Sequence, residues 1–174
     1  MPSVFDHARR QGAKLLLLPS VLGPWGTSTR LAMVERSIRL KHPGVPSVDV
    51  EQARTLIDAG ALWVDVRTEA ERSVSRIPGA VDGETVLADP RSFRGKVLLA
   101  YCTIGVRSAD WAAARRVDGL DARNVQGSVI AWARAGEHFM APDGGPTTRV
   151  HTWSHRFDWL PDGYEGVSDP PVRT

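Results

Sequence analysis

Cys102 is the single cysteine of a 174-residue chain, and it stands between an apolar run, VLLAY (97–101), and an Ala-rich segment opened by Ser108. A thiol attacks only as the thiolate, so its neighbours decide whether it has chemistry. The stretch Cys102-Thr103-Ile104-Gly105-Val106-Arg107 joins an expected strand end to an expected helix start. A tight turn of that kind aims several backbone N–H groups at one point and adds the positive end of the helix dipole. Gly105 permits a positive φ there, Arg107 supplies a cation, and Ser108 is expected to cap the helix with Asp110 in its first turn. Such surroundings lower a thiol from ~8.5 toward neutrality or below. The bland alternative is a small, inert, buried apolar residue, which a free cysteine often is. Gly and Arg at these offsets, at a strand-to-helix junction, argue for the nucleophile. Cys102 is therefore the expected catalytic residue, and Thr103, Ile104, Gly105, Val106, Arg107 and Ser108 are the expected substrate-binding residues around it.

The elements that position this turn are legible in the flanking pattern. LWVDV (62–66) and VLLAY (97–101) are continuous apolar runs that suit strands buried on both faces of a parallel sheet, and ARNVQ (122–126) reads as a third, shorter strand. Helical spacing appears in EQARTLIDAG up to Gly60, in 68–75, in SADWAAARRV (108–117) and in SVIAWARAG (128–136), with a turn at Ile77-Pro78-Gly79-Ala80. Alternating strands and helices predict an α/β fold with a mostly parallel sheet, whose ligand sites lie beyond the carboxyl ends of the strands. Asp65 and Arg67 fall at one such end. They are expected to support the site as an ion pair or cap rather than to touch substrate.

Composition narrows the function. One cysteine excludes an internal disulfide and any zinc site built on a cysteine pair, and it suits a reducing, cytoplasmic compartment. The net charge is only +2, yet residues 1–44 carry seven basic and two acidic side chains, which leaves the remaining body mildly acidic. A nucleic-acid-binding domain would carry its basic stripe on the folded body, so nucleic acid is not expected as a partner. Residues 15–25 form the longest apolar stretch, too short for the ~20 residues of a spanning helix and broken by Pro19 and Pro24. With Arg9, Arg10 and Lys14 upstream it faintly resembles a signal peptide without a cleavage site. Residues 29–41 place Leu31, Val34 and Ile38 on one helical stripe and basic residues opposite, as a surface helix does and, less simply, as a helix touching a membrane surface does.

Three motifs, taken together, resemble the rhodanese-like family of sulfurtransferases. Cys102-x-x-Gly105-x-Arg107-Ser108 looks like that family's active-site loop, Asp65-Val66-Arg67 with Ile77-Pro78-Gly79-Ala80 resembles its DVR … IPGA stretch, and Gly127-Ser128-Val129-Ile130-Ala131-Trp132 resembles its closing helix. The likeness spans about residues 45–138, leaving an N-terminal basic helical extension (1–44) and a C-terminal extension (139–174) expected to pack on the domain through its aromatic residues. The resemblance implies a five-stranded, mostly parallel sheet flanked by helices on both faces. It implies a reaction in which Cys102 takes sulfane sulfur from a small donor, thiosulfate or a persulfide, and passes it to a thiol or protein-thiol acceptor, without a metal or other cofactor. Four residues separate Cys102 from Arg107, the ring size associated with sulfur in this family, whereas related cysteine phosphatases and arsenate reductases use five. Thr103 and Ile104 replace the extra basic residues of a dedicated thiosulfate site, and Arg72 and Arg76 stand where relatives carry an aromatic residue and a histidine. A non-catalytic binding module on the same scaffold is the alternative. His138, His151 and His155 read as packing residues rather than a zinc site, since the ligand set is incomplete.

Overall fold

The computed structural model describes residues 26–168. The expected basic cluster at 9–14, the apolar stretch at 15–25 and the last six residues lie outside the described residues. Five parallel strands form the main sheet: β1 (Ser47–Val48), β2 (Leu62–Asp65), β3 (Val81–Asp82), β4 (Val97–Tyr101) and β5 (Asp121–Val125), in the order β1-β5-β4-β2-β3. The apolar run VLLAY, β4, lies at the centre, hydrogen-bonded to β2 on one side and β5 on the other. This is the α/β architecture that the alternation of elements predicts.

Successive residues of a strand face opposite sides of the sheet, and β4 shows the consequence directly. Leu99 and Tyr101 join one core with Trp63, Val129 and Trp132, while Leu98, Ala100 and then Cys102 join the other with Val64 and Ala112. The two-residue alternation thus delivers the sulfur to one particular face. On the first face pack α2 (Val50–Asp58) and α6 (Ser128–Arg134); on the second pack α4 (Gly83–Ala88) and α5 (Val106–Val117). The two apolar runs, β2 and β4, are buried after their first residues, as expected of a parallel sheet covered on both sides.

Several helix boundaries differ from the sequence expectation. The helix expected over 68–75 is a single turn, α3 (Glu69–Arg72), opened by a capping box in which Thr68 and Glu71 satisfy each other's backbone N–H groups. The helix expected over 128–136 ends at Arg134. The helix expected to start at Ser108 starts two residues earlier, at Val106, with Gly105 as its N-cap at φ +101°. Gly105 makes the left-handed turn that lets the helix begin directly after the loop, so Ser108 is already inside the first turn and caps nothing. Asp110 in turn lies beyond the first turn and pairs with Lys41 and His42 of the N-terminal helix.

Outside the sheet, α1 (Thr27–Lys41) lies against the α5 side, with Ile38 buried and its Cδ1 beside Gly105. After α6 the chain makes a small hairpin, β6 (Phe139–Met140) with β7 (Pro146–Thr147), and then a parallel pair, β8 (Arg149–His151) with β9 (Glu165–Val167). Between β8 and β9, Phe157 and Trp159 are buried in a third cluster with Ile104 and Ile130, bordered by Leu31 and Val34 of α1. That cluster places the C-terminal segment directly on the Cys102 turn. No described helix is long and apolar enough to cross a membrane.

Candidate active site

The site is built where β4 ends. Three separate constraints hold the 102–105 turn. The first acts on its carbonyls: Val129 N–H donates to Cys102 O at 3.2 Å and Ile130 N–H to Thr103 O at 3.3 Å. These are orphan amides from the first turn of α6, which would otherwise lack partners. In a trans peptide the C=O of one residue and the N–H of the next point in opposite directions. Anchoring the 102 and 103 carbonyls on α6 therefore turns the Thr103 and Ile104 N–H groups away from it. Ser128 completes this constraint: its Oγ accepts the Cys102 N–H at 3.1 Å and donates to Val125 O at 3.0 Å. Ser128 adopts φ +48°, an unusual backbone state for a residue with a side chain.

The second constraint is electrostatic. Arg107 makes a two-pronged contact with Glu71, Nη1 to Oε2 at 2.7 Å and Nη2 to Oε1 at 2.6 Å, and its Nη2 also donates to Thr103 Oγ1 at 3.0 Å. The Thr103 hydroxyl then donates to Glu71 Oε1 at 3.3 Å. Two-pronged guanidinium-carboxylate contacts fix orientation as well as charge. Burial alone would favour the neutral acid, but the hydrogen bonds and charge of Arg107, the charge of Arg67 and the Thr68 N–H outweigh it and push the Glu71 carboxyl down to about 2. Arg107, expected among the substrate-binding residues, braces the loop through Glu71 and Thr103.

The third constraint lies under Tyr101. Arg67 binds Asp65 through Nε and Nη2, at 2.9 and 2.7 Å, and reaches Ser75 O at 2.6 Å, with both side chains fully enclosed. The Tyr101 hydroxyl donates to Asp65 Oδ2 at 2.7 Å and accepts the Ile77 N–H at 3.2 Å. Asp65 and Arg67 thus tie β2, the Ile77 turn and the residue before the cysteine into one unit. They hold the end of β4 and make no contact with the sulfur. Arg72 is buried rather than displayed at the surface: its guanidinium meets Arg67 O, Asp82 and Glu84.

At the centre, Cys102 is 1% exposed. Its Sγ accepts the Gly105 N–H at 3.3 Å, and Ser108 Oγ lies 3.6 Å away. Burial disfavours the thiolate, yet the Arg107 charge, the Ser108 hydroxyl and the Ser108 and Gly105 amides outweigh burial and hold the thiol below its ordinary value. The sulfur is enclosed, but the Gly105 amide of the turn and the Ser108 amide of the helix face it, as a poised nucleophile requires.

Each residue picked from the sequence therefore has a definite place. Cys102, Gly105 and Ser108 meet at the sulfur; Thr103 and Arg107 form the outer brace; Ile104 packs its side chain into the C-terminal cluster and Val106 borders that cluster. Two contributors escaped the sequence reading. Ser128 stands out in the sequence only as part of a motif, and Asn124, a polar residue in a buried strand, accepts the Ser108 hydroxyl at 2.7 Å. The polar interruption of ARNVQ was the available signal for Asn124.

Comparison with known proteins bears on this geometry. Residues 49–135 match the family model described as Rhodanese-like domain. A curated relative from Allochromatium vinosum, named Sulfurtransferase, is 34% identical over 87 residues, which cover 48% of this chain and 81% of the relative. Among solved structures, the BH2092 protein of Bacillus halodurans superimposes with a TM-score of 0.50 at 19% identity, over 62% of this chain and 85% of that one. A thiosulfate sulfurtransferase from Pseudomonas aeruginosa gives a TM-score of 0.50 at 19% identity, over 62% of this chain and 22% of the other. At such identities the two structures speak to the fold alone.

Proposed function

The chain belongs to the rhodanese-like domain family, and on that premise we propose that it is a sulfurtransferase whose sulfur carrier is Cys102. The observation that carries the reading is the sulfur itself, facing the Gly105 amide and the Ser108 hydroxyl at the end of β4 with its ionisation favoured. In the first half-reaction the Cys102 thiolate attacks the outer, sulfane sulfur of the donor. The new S–S bond leaves Cys102 as a persulfide anion, and the donor's own S–S bond breaks with its electron pair on the leaving group, sulfite from thiosulfate or a thiolate from a persulfide. In the second, an acceptor thiolate attacks the outer persulfide sulfur and Cys102 departs as the thiolate. Covalent catalysis of this kind divides one transfer into two easier displacements. The amides of the turn stabilise the anion at both stages, as an oxyanion hole does for oxygen.

The charge around the turn bears on the donor. Arg107 is the cation nearest the reaction, and Glu71 neutralises it through a two-pronged contact. Thr103 and Ile104 add no charge. A doubly charged thiosulfate gains little from such a site, so a persulfide, carrying one charge or none, is the better-matched donor. The acceptor is a thiol or a protein thiol. A ring with four residues between Cys102 and Arg107 is too small for a tetrahedral oxyanion, which argues against phosphate or arsenate as the substrate.

The near-complete enclosure of Cys102 favours one second reading, a binding module that keeps the loop but performs no transfer. One experiment separates the two. The full chain is incubated with a low-molecular-weight persulfide or thiosulfate and weighed intact by mass spectrometry. The expected result is a gain of one sulfur atom that a thiol or cyanide removes and that Cys102→Ser abolishes, with persulfide loading faster than thiosulfate. A protein that gains nothing from either donor, while Cys102 alkylates with an ordinary thiol's pH dependence, is the binding module. Turnover of an aryl phosphate or arsenate without sulfur loading would instead place it with the cysteine phosphatases.

A further inference from the structure

Asn124 lies within β5, fully buried, and only half of its amide is accounted for. Oδ1 accepts the Ser108 hydroxyl at 2.7 Å, whereas Nδ2, equally enclosed, has no hydrogen-bond partner. Leaving a buried amide donor unpaired is costly, and such groups call for an explanation. The Ser108 hydroxyl supplies one, because it stands between the amide and the sulfur, 2.7 Å from Asn124 Oδ1 and 3.6 Å from Cys102 Sγ. A hydroxyl has one proton to give and lone pairs to accept with. While that proton goes to Oδ1, Ser108 shows the sulfur only lone pairs, which suit a thiol S–H; the hydroxyl lowers the thiol only when its proton faces the sulfur instead. If the amide turns over about its last bond, two atoms of nearly equal size exchange places. Nδ2 then donates to Ser108 Oγ, the orphan donor is satisfied, and the Ser108 proton is released toward the sulfur.

We propose that Asn124 is a positioning residue for Cys102: its amide, acting through the single proton of Ser108, decides whether the sulfur meets a lone pair or a donor. With the thiol, the chain of hydrogen bonds runs from sulfur through Ser108 to Oδ1. With the thiolate or the persulfide anion it runs the other way, from Nδ2 through Ser108 to sulfur. No proton is gained or lost within the relay. Its purpose rests on the sulfurtransferase reading, since that reaction passes through both anions, but its geometry does not.

The charged groups around the relay come from four sides. Arg107 on α5 faces the sulfur with Glu71 of α3 as its counter-ion. The Asp65–Arg67 pair lies on the β2 side. Glu35 of α1 is buried near Ser47, whose register partner is Asn124 itself. Lys41 and His42 meet Asp110 on the outer side of α5. None of them is hydrogen-bonded to the Asn124 amide, so the relay is the direct link between Asn124 and the sulfur.

The test is the pH dependence of Cys102 alkylation by iodoacetamide in the full chain, where this thiol is the only one that reacts. Four proteins form a cycle: the parent, Asn124→Leu, Ser108→Ala and the double variant. Leu fills the space of Asn and carries no charge, so it removes the relay without adding a field. The expected result is a midpoint raised by about half a pH unit in Asn124→Leu, the size of one net hydrogen bond, and no further rise from that change when Ser108 is already Ala. An unchanged midpoint in Asn124→Leu, or an equal rise with and without Ser108, overturns the proposal. If Leu prevents folding, Asn124→Asp keeps the shape and can only accept when ionised; its midpoint should rise by about one unit with Ser108 present and clearly less without it. The coupling should survive Glu35→Gln, and its loss there would assign the effect to Glu35 instead. Sulfur loading is scored separately by mass. Coupling without loading rejects the sulfurtransferase reading and keeps the relay, and loading without coupling does the reverse.

Discussion

Glu71 faces two guanidinium groups, bonded to Arg107 and within the field of Arg67, while its own side chain is almost wholly enclosed. Its carboxyl is held at about 2 in the folded chain against an ordinary 4.5. A carboxyl depressed on folding contributes stability in full above its unfolded value, and that contribution disappears as the pH falls from 4.5 toward 2. The difference corresponds to about 3 kcal/mol. Glu71→Gln should remove that contribution at neutral pH and leave Arg107 without its counter-charge, for a loss of about 3 kcal/mol or more in urea unfolding and a weaker dependence on acid below pH 4.5. The same change uncovers the Arg107 charge beside the sulfur, so the alkylation midpoint of Cys102 should move down. A variant as acid-sensitive as the parent, with the thiol unmoved, would mean that Glu71 is not the group that pins Arg107.

At the level of elements, the 102–105 turn shows both the reach and the limit of local sequence signals. VLLAY was readable as a strand because five apolar residues in succession suit only a position covered on both faces, and β4 is found there. Ser47–Val48 and Val81–Asp82 carry no periodicity in two residues; they are strands because β5 and β2 present open edges to them. Cys102, Gly105 and Arg107 were likewise readable, since their offsets from a strand end have a local meaning. Ser108 does not cap the helix because a left-handed Gly105 starts it earlier, and the partner of Asn124 is not legible because it lies on α5, distant along the chain; the polar interruption of a buried strand is the one local sign of it. Gly105→Ala tests the element directly. A side chain at φ +101° is strained, and its Cβ would sit 3.4 Å from both Asn124 Nδ2 and Ile38 Cδ1. Stability should fall by about 1–2 kcal/mol, and the thiol midpoint should rise as the amide leaves the sulfur. Gly119→Ala is the matched control, with φ +80° and open space around it; it should lose stability without moving the thiol.

Over the whole molecule, the family match ends at residue 135, yet the described fold continues to 168. The continuation is tied back to the site at several points. Ser75 Oγ, next to the Arg67 anchor, donates to Arg149 O at 2.6 Å, and the Trp153 ring lies 5.8 Å from the Arg107 guanidinium. Phe157 and Trp159 cover Ile104, the residue between the brace at Thr103 and the cap at Gly105. A turn whose amides must converge on one atom needs support from outside as well as beneath, because an unsupported loop samples orientations in which those amides face water. Phe157 is buried among Ile104, Ile130 and Trp159, so Phe157→Ala should cost about 3–5 kcal/mol in urea unfolding. In the folded variant the loosened turn should let the Cys102 midpoint drift up toward that of an ordinary thiol, and persulfide loading should slow at neutral pH. If Phe157→Ala keeps full stability and an unshifted thiol, the C-terminal segment is a separate appendage, and the β4–α5 turn holds its shape from the sheet and α6 alone.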